Sequence, residues 1–333
     1  MFKLLKATKY FLLFFFLLLL TIIIFSQGHV PQKSELKYGM TFSKKQAIAL
    51  GLDWKQTYIA MLDDLGVKKL RLSAYWDDLQ WTEGDPYRWA DLDWQINEAS
   101  KRNVEVILAM GGRLPRWPEC HYPGWVNDLE KSKKEKYTIE YIEQVVNRYK
   151  DYNSIVAWQV ENEPFLKYFG ECPPLDSDFL DQEIATVKNL DARQVVVTDS
   201  GELSVWVPAV KRADIFGTTM YRDTYSAKLQ RYIHYPITPA FFRFKKNVAG
   251  LFANPKKWVV IEMQGEPWGS KQFQDLSSEE RSKTMDLQKL QDMISFSSQT
   301  GFGEFYLWGV EWWYWEKTTR DNPGLWEYAK TLY

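Results

Sequence analysis

From Tyr38 onward, short and nearly continuous apolar runs alternate with segments whose apolar residues recur every three or four positions. The first kind reads as strands covered on both faces, the second as amphipathic helices. Eight strands are predicted: 38–42, 68–76, 104–110, 154–161, 194–200, 214–221, 257–263 and 303–310. Between them, Trp54–Leu65 puts Tyr58, Met61, Leu62 and Leu65 on one face and stops at Gly66. Leu92–Lys101 does the same with Leu92, Ile96 and Ala99. Ser132-x-x-Glu135 and Ser277-x-x-Glu280 read as capping boxes that open helices, and Ser177 and Asp178 as caps of a third. "LWEYAKTLY" closes the chain as a helix. Eight strands alternating with helices predict an α/β fold, a (β/α)8 TIM barrel over residues 38–333. A doubly wound open sheet is the alternative. No glycine-rich phosphate fingerprint follows any strand, which counts against it.

The N-terminus breaks the pattern. "MFKLLKATK" is basic, and Tyr10–Phe25 is an uninterrupted apolar run of sixteen residues. That is long for a signal-peptide core and short for a spanning helix. Residues 1–29 are expected to be a signal anchor or a cleaved signal peptide, with Lys3, Lys6 and Lys9 on the cytoplasmic side. Residues 30–37 read as a linker. The body is therefore expected outside the cytoplasm, membrane-anchored or secreted, as a monomer.

Composition changes this picture in two ways. Lys+Arg 42 against Asp+Glu 43 is a near balance, so neither nucleic acid nor an anionic surface is an expected partner of the body. The chain carries 16 Trp, an unusual number of rigid flat faces with a polar edge.

In such a barrel the functional groups gather at the carboxyl ends of the strands. The fourth predicted strand runs "SIVAWQV" straight into Glu161, Asn162, Glu163 and Pro164. The seventh ends in Glu262, the sixth in Tyr221; the second carries Arg71 and the eighth Trp308. Strands four and seven lie across a closed eight-stranded sheet, so Glu163 and Glu262 can face one another. Two carboxyls held ~5–5.5 Å apart suit retaining glycoside hydrolysis. Strict alternation sends Asn162 and Glu163 to opposite faces, so a bulge or bend is expected there. Glu161 is read as a partner of Arg71 inside the barrel, and Glu266 as a loop residue.

"AWQVENEP", "VVIEMQGEPW", "MYRD" and "FYLWGVEWW" resemble clan A glycoside hydrolases, the group of the family 5 cellulases and mannanases. The resemblance runs from about Tyr38 to Trp326. It implies Glu163 as acid/base, Glu262 as nucleophile and Asn162 as the group that binds the sugar 2-hydroxyl. It implies that Tyr221 and Arg71 support Glu262 and that Trp308 stacks under the sugar. Family 5 enzymes usually show His near the ends of strands three and six; here strand three gives "AMGGRLPRWP", with His121 beyond it. The roles require Glu262 to stay ionised beside a cation, and Glu163 to start protonated, pushed up by burial and by the Glu262 charge. No metal or cofactor is implied.

Trp76, Trp81, Trp117, Trp125, Trp206, Trp268, Trp312, Trp313 and Trp315 are candidates for a sugar-stacking groove, with Trp268 and Trp313 the leading pair; Trp158 reads as core. Cys120 follows strand three and Cys172 follows strand four, so their loops leave the same face side by side. A disulfide between them would close a loop of about fifty residues, on the order of 4 kcal/mol in the chain-entropy model. The expected substrate is a β-linked glucan or mannan cut internally, with exo action as the alternative. A non-catalytic carbohydrate receptor would not need both glutamates. A Schiff-base aldolase needs a buried strand-end Lys, whereas Lys68, Lys69 and Lys257 stand at strand starts.

Overall fold

The computed structural model describes residues 2–167, 169–172 and 175–333, side chains of 2–9 excepted, so those of Lys3, Lys6 and Lys9 lie outside the described residues. Eight strands close a parallel barrel in the order 1-8-7-6-5-4-3-2. They are β1 Lys37–Thr41, β2 Lys69–Ser73, β3 Glu105–Met110, β4 Ile155–Val160, β5 Gln194–Asp199, β6 Ile215–Met220, β7 Lys257–Gln264 and β8 Glu304–Trp308. Closure of β1 onto both β8 and β2 rules out the open sheet.

Alternate residues divide the core. Ile107, Ala157, Val196, Ile215, Val259, Ile261 and Tyr306 form one buried cluster inside the barrel. Their neighbours Leu70, Leu72, Leu108, Trp158, Val195 and Val260 belong to the larger cluster between strands and helices. Trp158 is fully buried there, as its mid-strand position predicts.

β7 departs from simple alternation. Thr218 and Thr219 pair with Val260 and Glu262, while Phe305 and Leu307 pair with Val260 and Met263. Both neighbours thus skip one residue of β7, and on the β6 side that residue is Ile261. The slip is a β-bulge. It lets Ile261 and Glu262 both face the barrel interior, with Val260 and Met263 packed outward.

Three helix starts differ from expectation. The helix Lys131–Tyr149 begins one residue before Ser132, so that serine lies inside the first turn and no side chain caps it. Asp176, not Ser177 or Asp178, caps Ser177–Leu190. The Ser277–Glu280 box forms but opens only Ser278–Ser282; Asp286 caps the next helix, Leu287–Ser297. A helix at Pro239–Gly250 and a hairpin of Asp223–Ser226 with Arg231–His234 were not predicted.

The expected spanning segment is not met: among the described residues no helix is long and apolar enough to cross a membrane. As a helix the sixteen-residue apolar run reaches only ~24 Å, short of a ~30 Å hydrocarbon layer. The N-terminal helix Phe2–Ser26 exposes apolar side chains from Tyr10 to Ile24. Its end is held by Arg243 Nε, which donates to Ser26 O at 2.8 Å, and by Asn247, which donates to Phe25 O at 2.7 Å.

Candidate active site

Arg71 stands on β2 inside the barrel, fully buried, and organises the mouth. Its guanidinium donates from three nitrogens: Nε to Gln159 Oε1 at 2.8 Å, one terminal nitrogen to Glu262 Oε1 at 2.7 Å, the other to Asn162 Oδ1 at 2.7 Å. The rigid fork of Arg suits this task; a Lys point charge could not hold three acceptors in fixed directions. The Tyr221 hydroxyl donates to Glu262 Oε2 at 3.2 Å. Burial and then the Glu262 charge push that hydroxyl well above its ordinary value, so it stays a donor.

The strand-four turn delivers Asn162 and Glu163. β4 ends at Val160, and Glu161 and Glu163 adopt φ of 57° and 45°. These two left-handed residues are the bend that alternation demanded, made just beyond the strand rather than within it. Such conformations cost about 1–3 kcal/mol each and cluster at functional sites. Glu163 N–H donates to Thr198 Oγ1 at 2.8 Å, and the Thr198 hydroxyl reaches Asn162 Oδ1 at 3.3 Å. Burial, then the charges of Glu262, Glu119 and Asp199, raise the Glu163 carboxyl well above the ordinary range. Glu163 and Glu262 are both buried, at 5% and 4% exposed.

Glu161 is not the partner of Arg71. Its carboxylate turns away from the barrel axis and accepts from the backbone N–H groups of Gly112 at 2.8 Å and Arg113 at 2.5 Å. Gly111, at φ 126°, must be glycine: a Cβ would lie 2.4 Å from Glu161 Oε1. Behind Glu161 lies Glu183, fully buried on the helix Ser177–Leu190. Burial and the Glu161 charge push Glu183 well above the ordinary carboxyl range, while burial also raises Glu161 against the pull of its backbone N–H donors, so of the two Glu183 is the one that favours its proton. A raised carboxyl stabilises the fold below its unfolded value of about 4.3 and loses that contribution as pH rises through its folded value. Glu183→Gln keeps the shape and cannot ionise. It is expected to match the parent melting temperature at pH 5 and exceed it by about 2–6 °C at pH 9, roughly 1–3 kcal/mol. Thermal melts across pH check this, and a constant difference would contradict a proton held by Glu183 in the fold.

Sequence reasoning missed the loop after β3. Residues 113–120 fold back as a hairpin, closed by an Arg113–Cys120 bridge and by Leu114 N–H to Glu119 O at 3.1 Å. A disulfide joins Cys120 to Cys172, and Arg113 donates to Leu166 O at 2.9 Å and Phe169 O at 2.6 Å. The hairpin sends two charged side chains into the mouth. Arg116 pairs with Glu266 at 2.5 Å and Glu311 at 3.0 Å, and lies 4.0 Å over the Trp308 ring. Glu119 approaches Asn162 Nδ2 at 3.3 Å and Arg113 Nε at 3.8 Å. Glu266 also accepts from Trp308 Nε1 at 2.8 Å, so it fixes that ring as well as the cation. His121 does not line the mouth; it is buried and braces the hairpin through Nε2, 3.0 Å from Arg116 O. The signal available in sequence was only a charged residue beside a cysteine.

The tryptophans divide sharply. Trp313, expected to bind sugar, is fully buried and donates to Gly265 O at 2.6 Å; it is core. Trp76, Trp206, Trp312 and Trp315 are buried too. Helix Val310–Thr319 starts directly after β8 and carries Trp312, Trp313 and Trp315 back against the barrel, which an extended loop would not have done. Trp268 stays half-buried at the mouth, 5.4 Å from Tyr221 and 5.3 Å from Phe169. Trp81 and Trp117 are 60% and 58% exposed. Among the described residues no group of three or more His, Cys, Asp or Glu could hold a metal ion.

The cellulase family profile, glycosyl hydrolase family 5, matches residues 39–205. The chain belongs to glycosyl hydrolase family 5. The family 5 match covers β1 through β5, and with them Arg71, Glu119, Asn162 and Glu163. β-Galactosidase BgaA of Clostridium cellulovorans is 26% identical over 167 residues, 44% of this chain and 25% of that protein. Mannan endo-1,4-β-mannosidase F of Aspergillus clavatus is 30% identical over 118 residues, 32% of this chain and 26% of that protein. The matches thus span about a quarter of the length of these curated relatives. Among solved structures, a GH113 β-1,4-mannanase superposes with a TM-score of 0.53 at 15% identity, over 89% of this chain and 98% of that one. Exo-β-1,4-mannosidase Op5Man5 from Opitutaceae bacterium strain TAV5 gives 0.56 at 13%, over 82% and 51%. These likenesses establish the fold.

Proposed function

We propose that this family 5 chain is a retaining glycoside hydrolase that cuts β-linked glucan or mannan internally, using Glu262 as nucleophile and Glu163 as acid/base. The observation that carries this reading is the Arg71 guanidinium, which spans Glu262 and Asn162 while Glu163 sits beside them with its proton favoured. Glu262 attacks the anomeric carbon as Glu163 gives its proton to the departing oxygen. The glycosyl ester that forms removes the Glu262 charge. Glu163, now ionised and no longer repelled, takes a proton from water, and the attack of that water restores Glu262. The Asn162 amide, with its oxygen turned to Arg71, points Nδ2 into the mouth for the 2-hydroxyl. Trp308 forms a floor held by Glu266 and Arg116. Trp117 and Trp268 supply flat faces for further sugars.

Product analysis tests the reading. A panel of soluble β-glucans and β-mannans is incubated with the protein, and products are sized and followed by proton NMR. Oligosaccharides whose β-anomer appears first are expected. Monosaccharide alone would favour exo action, and an α-anomer appearing first would sink double displacement.

We further propose an extracytoplasmic location. The basic and apolar leader and the Cys120–Cys172 disulfide support it, since disulfides persist in oxidising compartments.

A further inference from the structure

We propose that Glu119 is a specificity-determining residue that binds the 3-hydroxyl of the sugar whose bond is cleaved. This rests on the function proposed above and goes beyond it, since neither catalytic role involves Glu119.

Three observations converge. Glu119 is 5% exposed, yet its side chain ends in the mouth, 3.3 Å from Asn162 Nδ2. Only Oε2 faces Asn162 and Arg113; among the described residues no protein donor reaches Oε1. The backbone, moreover, is bent to put it there. Glu119 holds φ 67°, a conformation that disfavours any side chain with a Cβ, and the hairpin that imposes it is tied by the adjacent disulfide. A buried carboxyl with one unoccupied oxygen, delivered by a strained turn, is costly unless a ligand completes it.

The position selects the hydroxyl. Asn162 Oδ1 is consumed by Arg71, so the amide can offer a sugar only Nδ2, which Glu119 borders. If Nδ2 meets the 2-hydroxyl, a carboxyl flanking it meets the substituent on the neighbouring carbon. C1 carries the bond being broken, which leaves C3.

Charge agrees with this. The groups facing Glu119 are Glu262, Glu163 and Tyr221 across the mouth, Arg71 below, and Arg113 on its own hairpin. Burial and the Glu262 charge outweigh the two cations and raise Glu119 to about 8. At neutral pH it is an acid with a proton to donate, and an amide can replace it in that role.

The probes are 4-nitrophenyl β-mannobioside and β-cellobioside, each also made with the sugar next to the aryl group deoxygenated at C3. In the parent protein, loss of the 3-hydroxyl should lower kcat/KM about 10²-fold. Glu119→Ala should lower kcat/KM on the intact probe by a similar factor and erase the penalty for 3-deoxygenation. Glu119→Gln, whose amide can both donate to and accept from the 3-hydroxyl, should keep the penalty. Glu119→Gly, free of any strain at positive φ, serves if the Ala variant does not fold. A penalty unchanged in Glu119→Ala or Glu119→Gly, or absent from the parent, overturns the proposal while leaving the hydrolase reading intact. A parent protein inactive on both aryl glycosides and all polysaccharides ends both.

Discussion

Glu262→Ala should lower kcat/KM on an aryl β-glycoside by about 10⁵-fold, ~7 kcal/mol of lost transition-state stabilisation. The loss is this large because nothing else in the mouth is aimed to attack. Arg71 and the Tyr221 hydroxyl both terminate on Glu262, and those contacts orient one carboxylate. Removing it leaves a fully buried guanidinium short of its counter-charge, a cost of about 3–5 kcal/mol to the fold, so a melting curve must accompany the kinetics. The same vacancy is what makes the assignment checkable. Azide is a small anion that the unpaired Arg71 attracts. It should restore turnover and yield the α-glycosyl azide, because it attacks the face the carboxylate held. Full activity of Glu262→Ala without azide, or a β-azide product, would remove Glu262 from the role.

The second large effect separates acid from nucleophile. Glu163→Ala should cost about 10³–10⁴-fold on a natural oligosaccharide, whose leaving alcohol cannot depart without a proton. On a 2,4-dinitrophenyl glycoside, whose leaving group needs none, formation of the glycosyl ester should be nearly unaffected. Its breakdown still lacks a base, so a burst of dinitrophenol followed by slow turnover is expected in stopped-flow traces. Equal losses on both substrates, without a burst, would contradict the assignment. Glu119 makes this test pointed: it is a second buried acid near the same charge, and its raised value of about 8 qualifies it as a competing donor. Retained activity of Glu163→Ala on natural substrate would transfer the acid role to it.

The barrel was legible because each strand is a short apolar run covered on both sides, and periodicity reports that directly. The gathering of Arg71, Asn162, Glu262 and Tyr221 at one mouth was legible too, since each sits on a strand or at its end, where position along the strand fixes position in the mouth, and the family resemblance added that Arg71 and Tyr221 support Glu262. Failure began where the chain left the sheet. Glu161 was assigned to Arg71 because a carboxylate inside a barrel needs a partner; two left-handed residues turned it toward backbone N–H groups instead. Trp313 was assigned to sugar because it lay beyond a strand; a helix directly after β8 folded it into the core. Glu119 and Arg116 were passed over because a hairpin tied by contacts distant in sequence has no periodic signature.

The extra residue in β7 gives the whole site a dependence on counting. Chemical composition alone does not set where Glu262 looks; the slip in pairing at Ile261 does. Had β7 run without the bulge, plain alternation from Val259 would have turned Glu262 toward the helical jacket and left Arg71 in an apolar shaft; excising Ile261 instead removes the extra residue and leaves the carboxylate facing inward. A one-codon deletion there should therefore keep the Glu262 carboxylate on the Arg71 side and be less damaging to activity than losing the glutamate itself.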